Sequence, residues 1–449
     1  MSRVFCPLLN IVASHSCTAY RYAAIIILIV FASCNSNPQS KTQKPGTSAL
    51  QYDLRPLRPI AAADSTRWHN EAARWYDSVL GSRGFNGGML VAKNGHIVFE
   101  VYKGTAHLDG ADPVTDSTSF HIASVSKTFT AMAVLKLAEA GKLNIDDELN
   151  KYFPTFDYPG ITIRNLLSHR SGLPNYIYFM EDLGWDKKTI ITNQDVLDFL
   201  ITRKAEIPNI GRPGVNFTYC NTNYALLALL IEKTSGKKYG EYLSETFFKP
   251  LQMKHTFVYS RTDSGKVVPS YDYLGRLIPD NFLDVVYGDK NVYSTPRDLL
   301  AWDQALSSGL LFNANTLEQA YTPYSNEKPG VRNYGLGWRM NIYPTGKKMI
   351  YHNGWWHGNN AAFIRLTEDS ATIILLGNKY NRGIYHANVL SNMFGNYFTQ
   401  REEEEPETVK STEVRKKPRV RPAKITKRAK IRTAAKKEVV KKKSTRKKR

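Results

Sequence analysis

Ser124 and Lys127 stand three residues apart in His121-Ile-Ala-Ser-Val-Ser-Lys-Thr-Phe-Thr130, where a loop passes into the helical pattern Phe129, Met132, Ala133, Leu135, Leu137. On a helix an (i, i+3) pair shares one face. The lysine amine can then reach the serine hydroxyl and, when neutral, take its proton, which makes the serine a nucleophile for acyl carbon. A helix start adds free backbone N–H groups and the positive end of the helix dipole near the serine oxygen. Taken alone, such a pair is more often a serine N-cap beside a surface lysine.

Two more segments carry residues of the same kind of chemistry. Phe217-Thr-Tyr-Cys-Asn-Thr-Asn-Tyr224 offers Tyr219 and Asn221, and Tyr351-His-Asn-Gly-Trp355 offers His352 and Gly354. A tyrosine titrates near 10 in water, so Tyr219 acts as a base only where cations stabilise its phenolate. Without the other motifs, a buried aromatic with an Asx turn explains Tyr219 and Asn221. A satisfied structural histidine explains His352.

In order and rough spacing the three segments resemble the Ser-x-x-Lys, Tyr-x-Asn and Lys/His-x-Gly signatures of the serine β-lactamase and penicillin-binding-protein-like hydrolases, in the branch of class C β-lactamases, D-peptidases and esterases. Leu166-Leu-Ser-His-Arg-Ser-Gly-Leu-Pro174, Pro250-Leu-Gln-Met253, Ser294-Thr-Pro-Arg-Asp298 with Trp302, and Tyr334-Gly-Leu-Gly-Trp338 resemble it too, over roughly residues 85 to 398. The resemblance implies Ser124 as the acylated nucleophile and Lys127 as its proton partner, with Tyr219 sharing the acid and base work. It leaves open whether Lys127 or Tyr219 is the base. Asn221 would hold the substrate amide, and His352 and Gly354 would line the opposite wall on an edge strand, the glycine admitting substrate backbone. The backbone N–H groups of Ser124 and Trp355 would form the oxyanion hole, each donor being worth roughly 10²–10³ in rate.

The chain departs from that pattern at Trp355-Trp-His-Gly358, where relatives often carry Gly-Thr-Pro-Gly or similar, so aromatic surface is expected to crowd the cleft. Cys220 reads as a small buried filler rather than a nucleophile. No counterpart of the class A deacylating glutamate is evident. The expected activity is hydrolysis of amides or esters through an acyl-enzyme, with D-amino-acid peptides of the cell wall, β-lactams or small esters as substrates and no metal or cofactor. The alternative is a non-catalytic envelope binding protein that kept the penicillin-binding fold.

These residues need a scaffold. Met89–Ala92 and Ile97–Val101 flank Asn94-Gly95, the strongest short hairpin signal, and Ala361–Leu366 and Ala371–Leu376 flank Thr-Glu-Asp-Ser. Helical periodicity marks Thr66–Leu80, Thr128–Ala140, Gln194–Ile201, Ala225–Thr234, Arg297–Ser307 and Tyr385–Phe398. Strands at both ends with helices between predict an α+β fold, an antiparallel sheet flanked by helices with an inserted helical subdomain.

Composition bounds the rest. With 42% hydrophobic and 22% charged residues, the 449-residue chain is neither wholly disordered, nor collagen-like, nor a polytopic membrane protein. Its net charge of +21 sits almost wholly in one place, since Lys410–Arg449 holds twenty Lys/Arg against two Glu. Four cysteines, Cys6, Cys17, Cys34 and Cys220, form neither a disulfide framework nor a zinc spacing. The ten apolar residues Ala23–Ala32 behind Arg21 are too few for the roughly 20 that span a bilayer and fit a signal-peptide core. Phe31-Ala-Ser-Cys34 resembles a lipoprotein box, with Phe31 where leucine is usual, so Cys34 is the expected lipidation site. An ordinary cleaved signal and a short uncleaved anchor are the other readings.

The expected organisation is therefore a signal peptide over 1–34, a flexible tether over 35–60, a hydrolase domain over 61–400 and an acidic-then-basic tail over 401–449. Location in the cell envelope, facing the periplasm and held to the membrane by an N-terminal lipid, follows from the first of these. The tail could hold an anionic envelope polymer through counterion release. It carries no aromatic residue for base stacking, so a nucleic-acid partner is not expected.

Overall fold

In the computed structural model, which describes residues 58–207 and 210–398, Asn94 and Gly95 both take positive φ (51° and 80°). They turn strand β1 (Gly87–Lys93) into β2 (His96–Lys103), so that Lys93 pairs with His96. Such a two-residue mirror turn matches the right-handed twist of paired strands. Cys34, the apolar run before it and the basic tail lie outside the described residues.

Strands β3 (Arg332–Tyr334), β4 (Arg339–Ile342), β5 (Lys348–Trp356), β6 (Asn359–Leu366) and β7 (Ala371–Gly377) complete one antiparallel sheet in the order β2-β1-β7-β6-β5-β4-β3. The N-terminal hairpin thus adds to a C-terminal meander, and between them lie the inserted helices together with two small sheets, Phe120–His121 with Val292–Ser294 and Phe257–Val258, and Ser270–Tyr271 with Leu277–Ile278. β1, β2, β6 and β7 fall where the sequence places strands. β3 and β4, three and four residues long, carry no such signal, and β5 is expected only as the edge strand that the resemblance gives to His352 and Gly354, since His352, Asn353 and Gly354 interrupt its apolar run.

Alternate residues of the central strands enter different cores, as the two-residue period of a strand requires. Met89, Val91, Ile373 and Leu375 pack with Trp68, Ala72 and Tyr76 of helix α1 (Ala62–Val79). Leu90, Ala92, Ile374 and Leu376 share the other core with helices α2 (Ser126–Glu139), α3 (Asn193–Thr202), α4 (Asn221–Ser235) and α5 (Pro296–Ser307). A sheet covered on both faces explains why Ile373-Ile-Leu-Leu376 has no polar alternation. The Thr192 and Thr295 hydroxyls cap α3 and α5 by accepting from the N–H groups of Asp195 and Asp298. Arg365 of β6, 1% exposed, ties α5 to the sheet through Asp303. A buried charge of this kind is tolerated only when paired.

The stretch expected as a helix over Tyr385–Phe398 is instead a run of 3₁₀ turns, Arg382–Met393. Its buried residues Ile384, Ala387 and Leu390 recur every three positions. That spacing keeps one face toward the sheet at three residues per turn but not at 3.6. Among the described residues no helix is long and apolar enough to cross a membrane.

Candidate active site

Ala123 takes a left-handed conformation, φ 47°, and the 3₁₀ turn Ala123–Val125 carries Ser124 just ahead of α2. The serine therefore stands in a turn before the helix rather than on it, and the three-residue spacing to Lys127 works because a 3₁₀ turn brings i and i+3 together. Lys127 is fully buried, and its Nζ donates to Ser124 Oγ at 3.1 Å and to the Asp289 carbonyl at 2.8 Å. Ser124 itself is half-buried. A nucleophile that solvent can reach and an amine that solvent cannot are thus held in contact.

Tyr219 lies just before α4, and its ring sits between two cationic groups. Lys127 Nζ is 5.0 Å from the ring centroid and the Arg339 guanidinium carbon is 4.9 Å from it. Asn221 opens α4, and its Oδ1 is buried without a hydrogen-bond partner. Cys220 between them is buried, its thiol donates to the Pro174 carbonyl, and burial pushes its pKa up. That is the environment of an inert filler rather than a nucleophile.

The opposite wall differs from the expectation in three respects. β5 is the fifth strand of seven rather than an edge strand. Its ladder to β4 nevertheless stops at Tyr351 opposite Arg339, so His352–Trp356 pair on one side only, with β6. His352 lies under the wall rather than on it. It is 0% exposed, its Nδ1 is 2.7 Å from the Asn353 carbonyl and its Nε2 is 3.2 Å from the Tyr334 hydroxyl. Burial first, then Arg339 and Lys127, keeps this imidazole well below its ordinary pKa. A carbonyl only accepts, so the single proton is on Nδ1 and the Tyr334 hydroxyl donates to Nε2. Gly354 is required by the protein's own backbone, since a Cβ there would stand 2.3 Å from the Ile122 carbonyl oxygen and 3.2 Å from Ala123 Cβ. The glycine lets β5 lie directly against the turn that carries Ser124.

The aromatic run after Gly354 does not simply fill the cleft. Trp355 is 36% exposed and its Nε1 donates to the His357 carbonyl. Trp356 and His357 turn to Asp284, whose Oδ1 accepts from Trp356 Nε1 at 2.6 Å and lies 3.0 Å from His357 Nε2.

Residues 72–389 match the family model described as Beta-lactamase, most of the chain. The chain belongs to the Beta-lactamase family. It is 33% identical over 323 residues to penicillin-binding protein 4* of Bacillus subtilis (strain 168), covering 68% of this chain and 71% of that one. The crystal structure of a penicillin-binding protein from Bacillus halodurans superposes with a TM-score of 0.62 at 26% identity, covering 71% of this chain and 98% of that one. A D-amino acid amidase from Ochrobactrum anthropi SV3 shares the fold, with a TM-score of 0.58 at 22% identity over 74% of this chain and 96% of that one. This member of the Beta-lactamase family is a serine hydrolase of the β-lactamase and penicillin-binding kind.

Several of its site residues escape a sequence reading. Arg339 begins a four-residue strand with no periodic signal. His169 lies in the segment Leu166–Pro174 that resembles the family but was given no role there. It takes φ 56°, is fully buried, and grips the Tyr219 segment twice. Its carbonyl accepts from Thr218 N–H at 2.9 Å and its Nδ1 accepts from Cys220 N–H at 3.2 Å, with its ring 4.3 Å from that of Tyr219. Asp289 supplies its carbonyl to Lys127 while its carboxylate accepts from the Tyr176 hydroxyl at 3.1 Å and faces Lys290, both charges being buried. Only the fold brings these groups to Ser124.

Three buried histidines make stability depend on pH. Burial lowers the pKa of His121 to about 4, and it holds His169 and His352 well below the ordinary value. Each folded value is below the unfolded one near 6.5, so the unfolded chain takes up protons first as pH falls. The contribution is fully present above pH 6.5 and is lost on acidification, by about 1.4 kcal/mol per pH unit for each histidine until its folded pKa is reached. Thermal melts should therefore give a lower Tm at pH 5 than at pH 7. Equal midpoints would contradict the neutral state of these rings.

Proposed function

We propose that this Beta-lactamase family member is an envelope enzyme that opens amide bonds of D-amino-acid peptides through an acyl-enzyme at Ser124, acting on substrates that carry a carboxylate beyond the scissile bond. The observation that carries the reading is Arg339. Its guanidinium lies over the Tyr219 ring, which Lys127, the donor to Ser124 Oγ, also approaches, and on this reading it is the group that holds a substrate carboxylate. Guanidinium and carboxylate match as a fork. Cell-wall peptides ending in a D-residue and β-lactams both bear that group, and the penicillin-binding name of the relative at 33% identity supports the same class.

In the proposed sequence Ser124 Oγ attacks the carbonyl carbon as its proton passes to Lys127 or Tyr219. The Ser124 and Trp355 N–H groups receive the oxyanion, Asn221 holds the substrate amide, and the proton is returned to the leaving amine. Water then cleaves the ester. The apolar run before Cys34 supports export with lipid attachment at the membrane, and the twenty cations of Lys410–Arg449 support contact with an anionic envelope polymer.

Arg339→Gln tests the substrate. It should lower kcat/KM for a D-Ala-D-Ala-terminated peptide about 30-fold, as loss of a charge-assisted hydrogen-bonded pair implies, and leave a neutral thioester within about threefold. Equal loss on both substrates would remove the carboxylate from the reading.

A further inference from the structure

Beyond Trp355, the chain leaves the catalytic turn and walls a second space. Trp356 and His357 line a cavity of about 280 Å³ that does not include Ser124, Lys127, Tyr219 or Asn221. Two residues along a strand is about 7 Å, so this cavity begins close to Gly354 on the same strand.

Its walls are aromatic and aliphatic. Tyr259, Tyr293 and Trp356 supply rings, and Val268, Leu277 and Ile278 supply apolar surface. Its charge is acidic. Asp280 and Asp284 line it, together with His107, His121 and His357; neither lysine nor arginine lines it, the buried Lys290 ammonium lying behind the wall, 4.8 Å from the Trp356 ring centroid. Asp284 is 9% exposed and already receives Trp356 Nε1–H and His357. Asp280, whose position is exposed, interacts with it, and partial desolvation together with the Asp284 charge raises the Asp280 carboxyl above its usual range. A cation between the two carboxylates would relieve that repulsion.

A second observation points the same way. Two lining residues, His121 and Asn359, are 2% and 4% exposed, and His121 Nδ1 and Asn359 Oδ1 have no hydrogen-bond partner. A buried amide oxygen without a donor is costly, on the order of 1–3 kcal/mol. The carbonyl of Asn359 can only accept. Acidic groups, an amide acceptor and π faces are each complementary to an ammonium. The described residues hold no group of three His, Cys, Asp or Glu side chains suited to a metal ion.

We infer that this cavity is a binding site for an aliphatic primary ammonium, with the charged head between Asp280 and Asp284 near Asn359 and the methylene stem along Val268, Leu277 and Ile278. The site is separate from acylation at Ser124 and does not depend on the substrate proposed above. Its position against the strand that carries Gly354 gives an ammonium-bearing acyl compound a second point of attachment.

Isothermal titration of the full chain with n-pentylammonium and with 1-pentanol tests it. The amine should bind saturably and the isosteric alcohol about tenfold more weakly or worse, since only the amine gains the carboxylates and rings. Asp280→Asn, at an exposed position, should weaken the amine about fivefold or more through loss of one charge. Ile278→Trp should abolish binding by filling the cavity. Fluorophosphonate labelling at Ser124 should persist in both variants, which separates loss of the site from loss of the fold or of the nucleophile. Equal affinity for amine and alcohol, or unchanged amine binding in both variants, overturns the assignment.

Discussion

Replacing Ser124 with alanine should take hydrolysis of an activated ester to background, a loss on the order of 10⁴–10⁶ in kcat by comparison with removal of a serine nucleophile elsewhere. The fold should survive. Ser124 is half-buried and its Oγ accepts one hydrogen bond, from Lys127, which keeps its second bond to the Asp289 carbonyl. Removing a single hydroxyl from that arrangement should change stability by about 1 kcal/mol. Intact-mass spectrometry gives a second readout, since the parent should gain one fluorophosphonate adduct at Ser124 and the variant none. Hydrolysis that persists in a variant that no longer labels would move the nucleophile elsewhere, and a parent that neither labels nor hydrolyses would revive the reading of a non-catalytic binding protein.

How much of this was legible beforehand depends on how local the signal is. Asn94-Gly95 dictates its hairpin because the turn needs positive φ at both residues, and Ser124 with Lys127 announces itself because three residues suffice to bring them together. β5 was obscured by its own function. Gly354 and His352 break the strand pattern because one must let the Ile122 carbonyl approach and the other must fill the space beneath the wall. His169 lies within, and Arg339 directly after, a segment that resembles the family, yet neither segment, nor the surroundings of Asp289, says what the side chain touches. Their meaning comes from contacts across the fold, 162 positions apart for Lys127 with Asp289 and 51 for Cys220 with His169. For Gly354 the fold adds a second partner to the one expected. The sequence shows that something must come close, and only the fold shows that it is the nucleophile turn.

Lys127→Met should lower the second-order rate of acylation about 10³-fold, within the range for loss of a positioned proton acceptor. Methionine matches the length of the stem and suits a fully buried position, but it leaves the Asp289 carbonyl without its donor. A stability loss of about 1–3 kcal/mol should accompany the rate loss. Tyr219→Phe is the informative comparison, because it keeps the ring between Lys127 and Arg339 and removes only the hydroxyl. If the lysine amine, in its neutral form, takes the proton of Ser124, acylation should suffer more from Lys127→Met than from Tyr219→Phe. The geometry favours that order, since the amine is in contact with Ser124 Oγ at 3.1 Å. Fluorophosphonate labelling rates measured across pH for both variants decide the matter. The reverse order, with Tyr219→Phe costing the larger factor, would assign the base to the tyrosine and leave Lys127 as the group that stabilises its phenolate.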